Sequence, residues 1–176
     1  MSKLYVAYGS NLNVEQMKHR CPNSKLVNTG TLEGWKLAFK GGSNSYLTID
    51  ECEGASCPVA IWEIPEEDEK SLDMYEGYPT FYKKCDINVK LKDDSSQVAM
   101  VYIMSSEFDF GTPTVGYYNT VIRGYIDCGF DDKIGILSDA YEEAESKENE
   151  KLMAYYKSLR DKGLTDKEIF GYEYDY

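Results

Sequence analysis

The stretch KKCDINVKLKDDSSQVAMVYIM, residues 83–104, constrains the fold more than any other part of the chain. Cys85, Ile87, Val89 and Leu91 alternate with Asp86, Asn88, Lys90 and Lys92. That is the period of two expected of a strand with one buried face. DDSS (93–96) is a turn cluster, and the mostly apolar QVAMVYIM (97–104) follows it, so the pair predicts a β-hairpin. LYVAY (4–8), WKLAF (35–39), YLTI (46–49) and VAIWEI (59–64) add short β-like runs separated by Gly, Ser and Asn. Many short strands around a hairpin predict a compact, largely antiparallel sheet or small barrel.

Helices interrupt this pattern. PEEDEKSLDMYEG places Pro65 in a first turn, acids behind it and Gly77 at the stop. YYNTVIRGYIDCG puts Tyr118, Val121, Ile122 and Tyr125 on one helical face and ends at Gly129. Residues 138–162 are highly charged with sparse apolar positions and read as one exposed helix or two. Residues 163–176 read as an acidic, tyrosine-rich tail. The chain of 176 residues is expected to form one domain, with 131–176 as its charged helical extension.

Composition removes several function classes. The formal net charge is −12, from 31 acidic and 19 basic side chains, and no Lys/Arg cluster stands out. A surface that neutralises nucleic-acid phosphates is therefore not expected. No apolar run reaches the roughly 20 residues that span a bilayer, and MSKLYVAYGS has no signal-peptide pattern. These features predict a soluble cytoplasmic protein without a membrane partner. The five cysteines are odd in number and lack framework-like spacing, which predicts reduced thiols. Cys52 and Cys57 have no second ligand pair, and His19 is the only histidine, so no metal site is expected. His19 lies in MKHRCP, which reads as a solvated helix end. Acid–base chemistry is left to carboxylates, tyrosines or lysines.

Three segments could carry it. YGSNL (8–12) falls where a strand should pass into a helix. Its N–H groups could hold an anion at the helix start, or Ser10 or Asn11 could simply cap that helix. In DMYEGYPTFYKK (73–84), Glu76 precedes Gly77 and so falls at a helix C-terminus, where the dipole disfavours an acid. Burial among Tyr75, Tyr78, Phe81 and Tyr82 would raise its pKa toward that of a general base working near neutrality. A solvent-facing Glu76 without a role is the alternative. In TPTVGYYNTVIRGY, Tyr117 or Tyr118 could donate to a ligand or only pack.

Taken in order, YVAYGSNL, LDMYEGYPTFYKK and PTVGYYNTVIRG resemble the gamma-glutamylcyclotransferase family over residues 3–130. The Tyr-Gly-Ser-Asn-Leu loop resembles the branch that carries this sequence rather than the glutathione-specific branch. The resemblance implies an α+β fold: a small mixed, mostly antiparallel β-barrel with flanking helices. It implies that Glu76 is the catalytic acid/base, and that Tyr8, Gly9, Ser10, Asn11 and Leu12 form the loop around the gamma-glutamyl group. Tyr82 matches the tyrosine after Glu-Gly, and Tyr117, with Tyr118 as the alternative, matches the helix tyrosine. Ala60 replaces a common glycine, Lys83 and Lys84 stand where an Arg is more usual, and the last forty residues match no family motif.

The implied reaction is an internal cyclisation of a gamma-glutamyl amino acid or amine to 5-oxoproline, with release of the amine and no cofactor. The 9–12 loop would hold either the substrate carboxylate or the oxyanion. The implied partner is a small-molecule gamma-glutamyl substrate, and a homodimer is compatible with the sequence. A non-catalytic ligand-binding or interaction protein on the same scaffold is the rival reading.

Overall fold

A computed structural model describes residues 2–42 and 44–171. Among these residues five strands, β1 (Ser2–Ala7), β2 (Lys25–Gly41), β3 (Ser45–Pro65), β4 (Tyr82–Leu91) and β5 (Ser96–Met104), close into a barrel in the order β1–β3–β2–β4–β5. Every pairing is antiparallel except that of β1 with β5, which is parallel through Tyr5–Met100 and Val6–Val101. This is the mixed, mostly antiparallel barrel with flanking helices that was expected. Val6, Leu32, Phe39, Val59, Val89 and Val101 are fully buried in its core.

The central hairpin runs in unbroken register from Tyr82–Met104 to Lys90–Ser96. Ile87 and Val89 face inward as the alternation requires, but Cys85 is exposed. The buried residue at that end is Tyr82, on the opposite face, so β4 is covered on one side at its start and on the other at its end. YLTI and VAIWEI, read as two strands, are parts of the single strand β3. Gly34 and Gly54, both at φ +80°, bend the long β2–β3 ribbon, and the register shifts between Glu33 and Trp35. The glycines that looked like separators are bend positions inside continuous strands.

Among the described residues, five α-helices flank the barrel: α1 (Val14–Arg20), α2 (Glu66–Glu76), α3 (Val115–Asp127), α4 (Ile134–Asp161) and α5 (Asp166–Phe170). Pro65 lies one place ahead of the first turn of α2, at its cap. The charged 138–162 stretch, up to Lys162 at the C-cap, forms one helix, α4, which buries Leu137, Ala140 and Ala144 and pairs Glu143 with Lys36 of β2 at 2.6 Å. Of the expected acidic tail, residues 166–170 are helical and 172–176 lie outside the described residues. Among the described residues no helix is long and apolar enough to cross a membrane.

Candidate active site

Tyr5, Val6 and Ala7 bury the end of β1 in the core, and the chain leaves the barrel at Tyr8. The next residues do not begin an α-helix. Ser10–Leu12 form one 3-10 turn, closed by the Leu12 N–H donating to the Gly9 carbonyl at 2.9 Å. Helix α1 starts later and is capped by Asn13, whose Oδ1 accepts from the Gln16 N–H at 2.9 Å. Neither Ser10 nor Asn11 caps it. As the first two positions of the turn, they have no carbonyl behind them to bond within it.

Helix α3 presses directly on this loop. A Cβ on Gly124 would lie 2.6 Å from the Asn13 nitrogen and 2.9 Å from the Leu12 carbonyl carbon. Asp127, in the last turn of α3, accepts from Asn13 Nδ2 at 2.9 Å and from the Val14 N–H at 3.0 Å. Leu12 is fully buried in this contact and borders neither pocket described below. It is the one loop residue of the five that the fold turns away from the site.

Glu76 reaches the site because α2 stops at it. The helix opens with Glu66, Glu67, Asp68 and Glu69, all favourable at the positive end of its dipole. It closes in a Schellman motif: Gly77 adopts φ +62°, its N–H donates to Met74 O at 3.3 Å, and the Tyr78 N–H donates to Asp73 O at 3.0 Å. A residue with a side chain takes up this left-handed backbone at a cost that Gly77 avoids. Glu76 Oε1 accepts from Asn11 Nδ2 at 2.9 Å. Burial pushes the carboxyl up to about 7, against the opposing pull of the Arg20 charge and the Asn11 hydrogen bond.

The tyrosines around it are held by main-chain groups. Tyr8 donates to Tyr102 O at 2.6 Å, and Tyr82 donates to Leu47 O at 2.7 Å. The Tyr117 oxygen accepts from the Leu47 N–H at 3.1 Å. Burial holds all three phenols well above their ordinary pKa, so at neutral pH they are hydrogen-bond donors and acceptors rather than bases. Tyr118 points elsewhere, against Phe39 and Tyr141. Of the two helix tyrosines, Tyr117 is the one at the site.

Two adjoining cavities meet at Ser10, Glu76, Tyr82 and Tyr117. The inner one, about 30 Å³, is bordered also by Tyr5, Tyr8, Gly9, Asn11 and Tyr102. The outer one, about 240 Å³, is walled also by Tyr46, Tyr75, Gly77 and Phe81. Of the rings expected around Glu76, Tyr75, Phe81 and Tyr82 are present, whereas Tyr78 is exposed and its ring faces Tyr102. Gly9 is tight against its neighbours: a Cβ there would stand 3.3 Å from the Tyr117 hydroxyl and 3.4 Å from Leu47 Cβ.

Sequence reading missed Tyr102, which borders the inner cavity, and three further residues of the site. Tyr5 accepts from Asn11 Nδ2 at 2.8 Å, and Tyr46 meets the Tyr117 ring edge-on at 5.0 Å. The third is Arg20. MKHRCP does end a helix with His19 exposed, but Arg20 turns inward, to Ser10 Oγ at 3.1 Å and to Asn11 Oδ1. An arginine at a helix end is too common to stand out. Only the packing of α1 against α2 gives this one its meaning.

Residues 5–119 match the family described as gamma-glutamyl cyclotransferase, AIG2-like, and the chain belongs to that family. Over 132 residues, 70% of each chain, it is 26% identical to a gamma-glutamylcyclotransferase of Bos taurus and 24% identical to one of Homo sapiens. A solved gamma-glutamyl cyclotransferase structure superposes with a TM-score of 0.70 at 21% identity, covering 84% of this chain and 88% of that one.

Proposed function

We propose that this chain is a cyclotransferase that converts a gamma-glutamyl amino acid or amine to 5-oxoproline and the free amine. The observation that carries the reading is Glu76: a carboxyl enclosed by tyrosines, hydrogen-bonded to Asn11, with its pKa raised to about 7 at the junction of two cavities. The substrate's α-amine attacks its own side-chain carbonyl carbon, a five-membered ring closes, and the amide C–N bond breaks. Glu76 takes the proton from the attacking nitrogen and returns it to the leaving nitrogen. A base poised near the working pH does both steps well. Nucleophile and electrophile belong to one molecule, so folding it into a reactive geometry is much of the catalysis.

The inner cavity, about 30 Å³, then receives one small terminal group of the gamma-glutamyl moiety, and the rest of that moiety lies at the junction with the outer cavity. The N–H groups of the 9–11 loop receive an anionic oxygen of the substrate, carboxylate or oxyanion, and Tyr8, Tyr82 and Tyr117 shape the walls. The outer cavity, walled by Tyr46, Tyr75 and Phe81, receives the departing amine. The test is 5-oxoproline release by the purified chain from a panel of gamma-glutamyl compounds, in parallel with E76Q. The wild type is expected to form 5-oxoproline and E76Q to lose essentially all turnover while still folding. Near-normal turnover by E76Q would remove the assignment. Absence of product across the panel would favour a ligand-binding protein on this scaffold.

A further inference from the structure

We propose that Arg20 is a positioning residue for Glu76, setting the orientation of the Asn11 amide through which the loop holds the carboxyl. The inference rests on the reading of Glu76 as the acid/base. Arg20 Nη1 donates to Asn11 Oδ1 at 2.5 Å and to Ser10 Oγ at 3.1 Å. A guanidinium has donors only, so the group it meets must be the amide oxygen. The amide nitrogen is thereby turned to the other side, where it donates to Tyr5 Oη at 2.8 Å and to Glu76 Oε1 at 2.9 Å. Without Arg20 the amide can flip, and its oxygen would then face Glu76. A flipped amide accepts from a protonated carboxyl and repels a carboxylate. Arg20 thus selects the form of Glu76 that can act as a base.

The arginine is itself held in place. Its second terminal nitrogen donates to Gln16 Oε1, and the guanidinium lies over the Tyr75 ring, 3.6 Å from the centroid. Tyr75 is the residue next to Glu76, so α1 and α2 are joined by the same group that orients the loop. The titratable groups facing Glu76 are Tyr5 and Tyr8 at the end of β1, Arg20 of α1 and Cys21 at its C-cap, Tyr82 of β4, Tyr102 of β5 and Tyr117 of α3. Burial holds the phenols and the Cys21 thiol neutral, which leaves Arg20 as the cation in this set. Its charge draws the Glu76 pKa down against desolvation.

The experiment titrates the Glu76 carboxyl by ¹³C NMR in the full chain, its signal assigned by absence from E76Q. Arg20→Gln and Arg20→Lys are compared, and kcat and KM are followed against pH in parallel. In Arg20→Gln the Glu76 midpoint should rise by about one pH unit, the lower end of what a nearby opposite charge does. The acidic limb of kcat should move with it, and kcat at pH 7 should fall about fivefold or more as the ionised fraction drops, with KM changed less. Arg20→Lys keeps the charge but not the planar fork that ties Gln16 to Ser10 and Asn11, so the Asn11 amide is freed to flip, the midpoint should rise by less than in Arg20→Gln, and kcat should still fall. An Arg20→Gln chain that titrates like wild type would overturn the proposal, and so would an Arg20→Lys chain that turns over like wild type. The second comparison decides if Arg20→Gln does not fold. The NMR titration needs no substrate: a shifted midpoint in a protein that forms no 5-oxoproline would sink the proposed reaction and leave the role of Arg20 standing.

Discussion

Replacing Glu76 by Gln should make the protein more stable at pH 8 while making it inactive. Glu76 has an ordinary value of 4.5, and burial raises it to about 7 in the folded chain. Because the folded carboxyl holds its proton to a higher pH than the unfolded one, stability falls as pH rises from 4.5 to 7 and then levels off. At about 1.4 kcal/mol per pH unit, the cost of the charged form reaches at most about 3 kcal/mol. Water in the pocket reduces that figure. Gln keeps an oxygen able to accept from Asn11 Nδ2 and carries no charge to bury. Urea unfolding of wild type and E76Q at pH 5 and pH 8 measures the effect. The advantage of E76Q should approach a few kcal/mol at pH 8 and shrink below about 1 kcal/mol at pH 5. Equal stability at both values, or a variant less stable at pH 8, would refute the claim that Glu76 is charged at the expense of the fold.

Gly9→Val should lower kcat/KM by about 100-fold or more in steady-state assays, because its Cβ would stand 3.3 Å from the Tyr117 hydroxyl and its methyls would enter the inner cavity. Gly124→Ala should cost about 1–3 kcal/mol in urea unfolding, since its Cβ would overlap the Asn13 nitrogen at 2.6 Å and push α3 off the loop. Gamma-glutamyl conjugates of aromatic or apolar amines should show higher kcat/KM than those of acidic amino acids, because Tyr46, Tyr75 and Phe81 wall the outer cavity and Glu76 lies at its base.

What could be read from the chain, and what could not, follows from the range of the interactions involved. The β4–β5 hairpin was legible because alternation and a turn cluster are local signals. Glu76 was legible because an acid beside the helix-stopping Gly77 violates a local rule, and the structure puts that acid at the pocket. The join of YLTI to VAIWEI was not legible, since Gly54 reads the same whether it ends a strand or bends one. Nor could the sequence separate Tyr117 from Tyr118. Both sit on the first turn of α3, and only the crossing of that helix over the loop aims one at Leu47 and the other at Phe39. Leu12 belongs to the motif by position yet lies under α3, because successive residues of a tight turn face different ways. Arg20 acts on residues that only the packing of α1 against α2 and the loop brings to it.

The two tyrosines on Leu47 carry one more consequence. Over residues 45–51, β3 is paired with β2 on one edge, while β1 takes up its other edge only at 60–65. Where a further strand would bond Leu47, the hydroxyl of Tyr82 meets its carbonyl and the hydroxyl of Tyr117 meets its N–H. The phenols act as a two-atom substitute for an absent strand, and the cavities occupy the notch that strand would have filled. The opening in this protein is therefore an interruption of the sheet, kept from unzipping by side chains that are also its walls. A relative that extended the sheet across that edge would gain a ladder of hydrogen bonds and lose the room in which a substrate could bind.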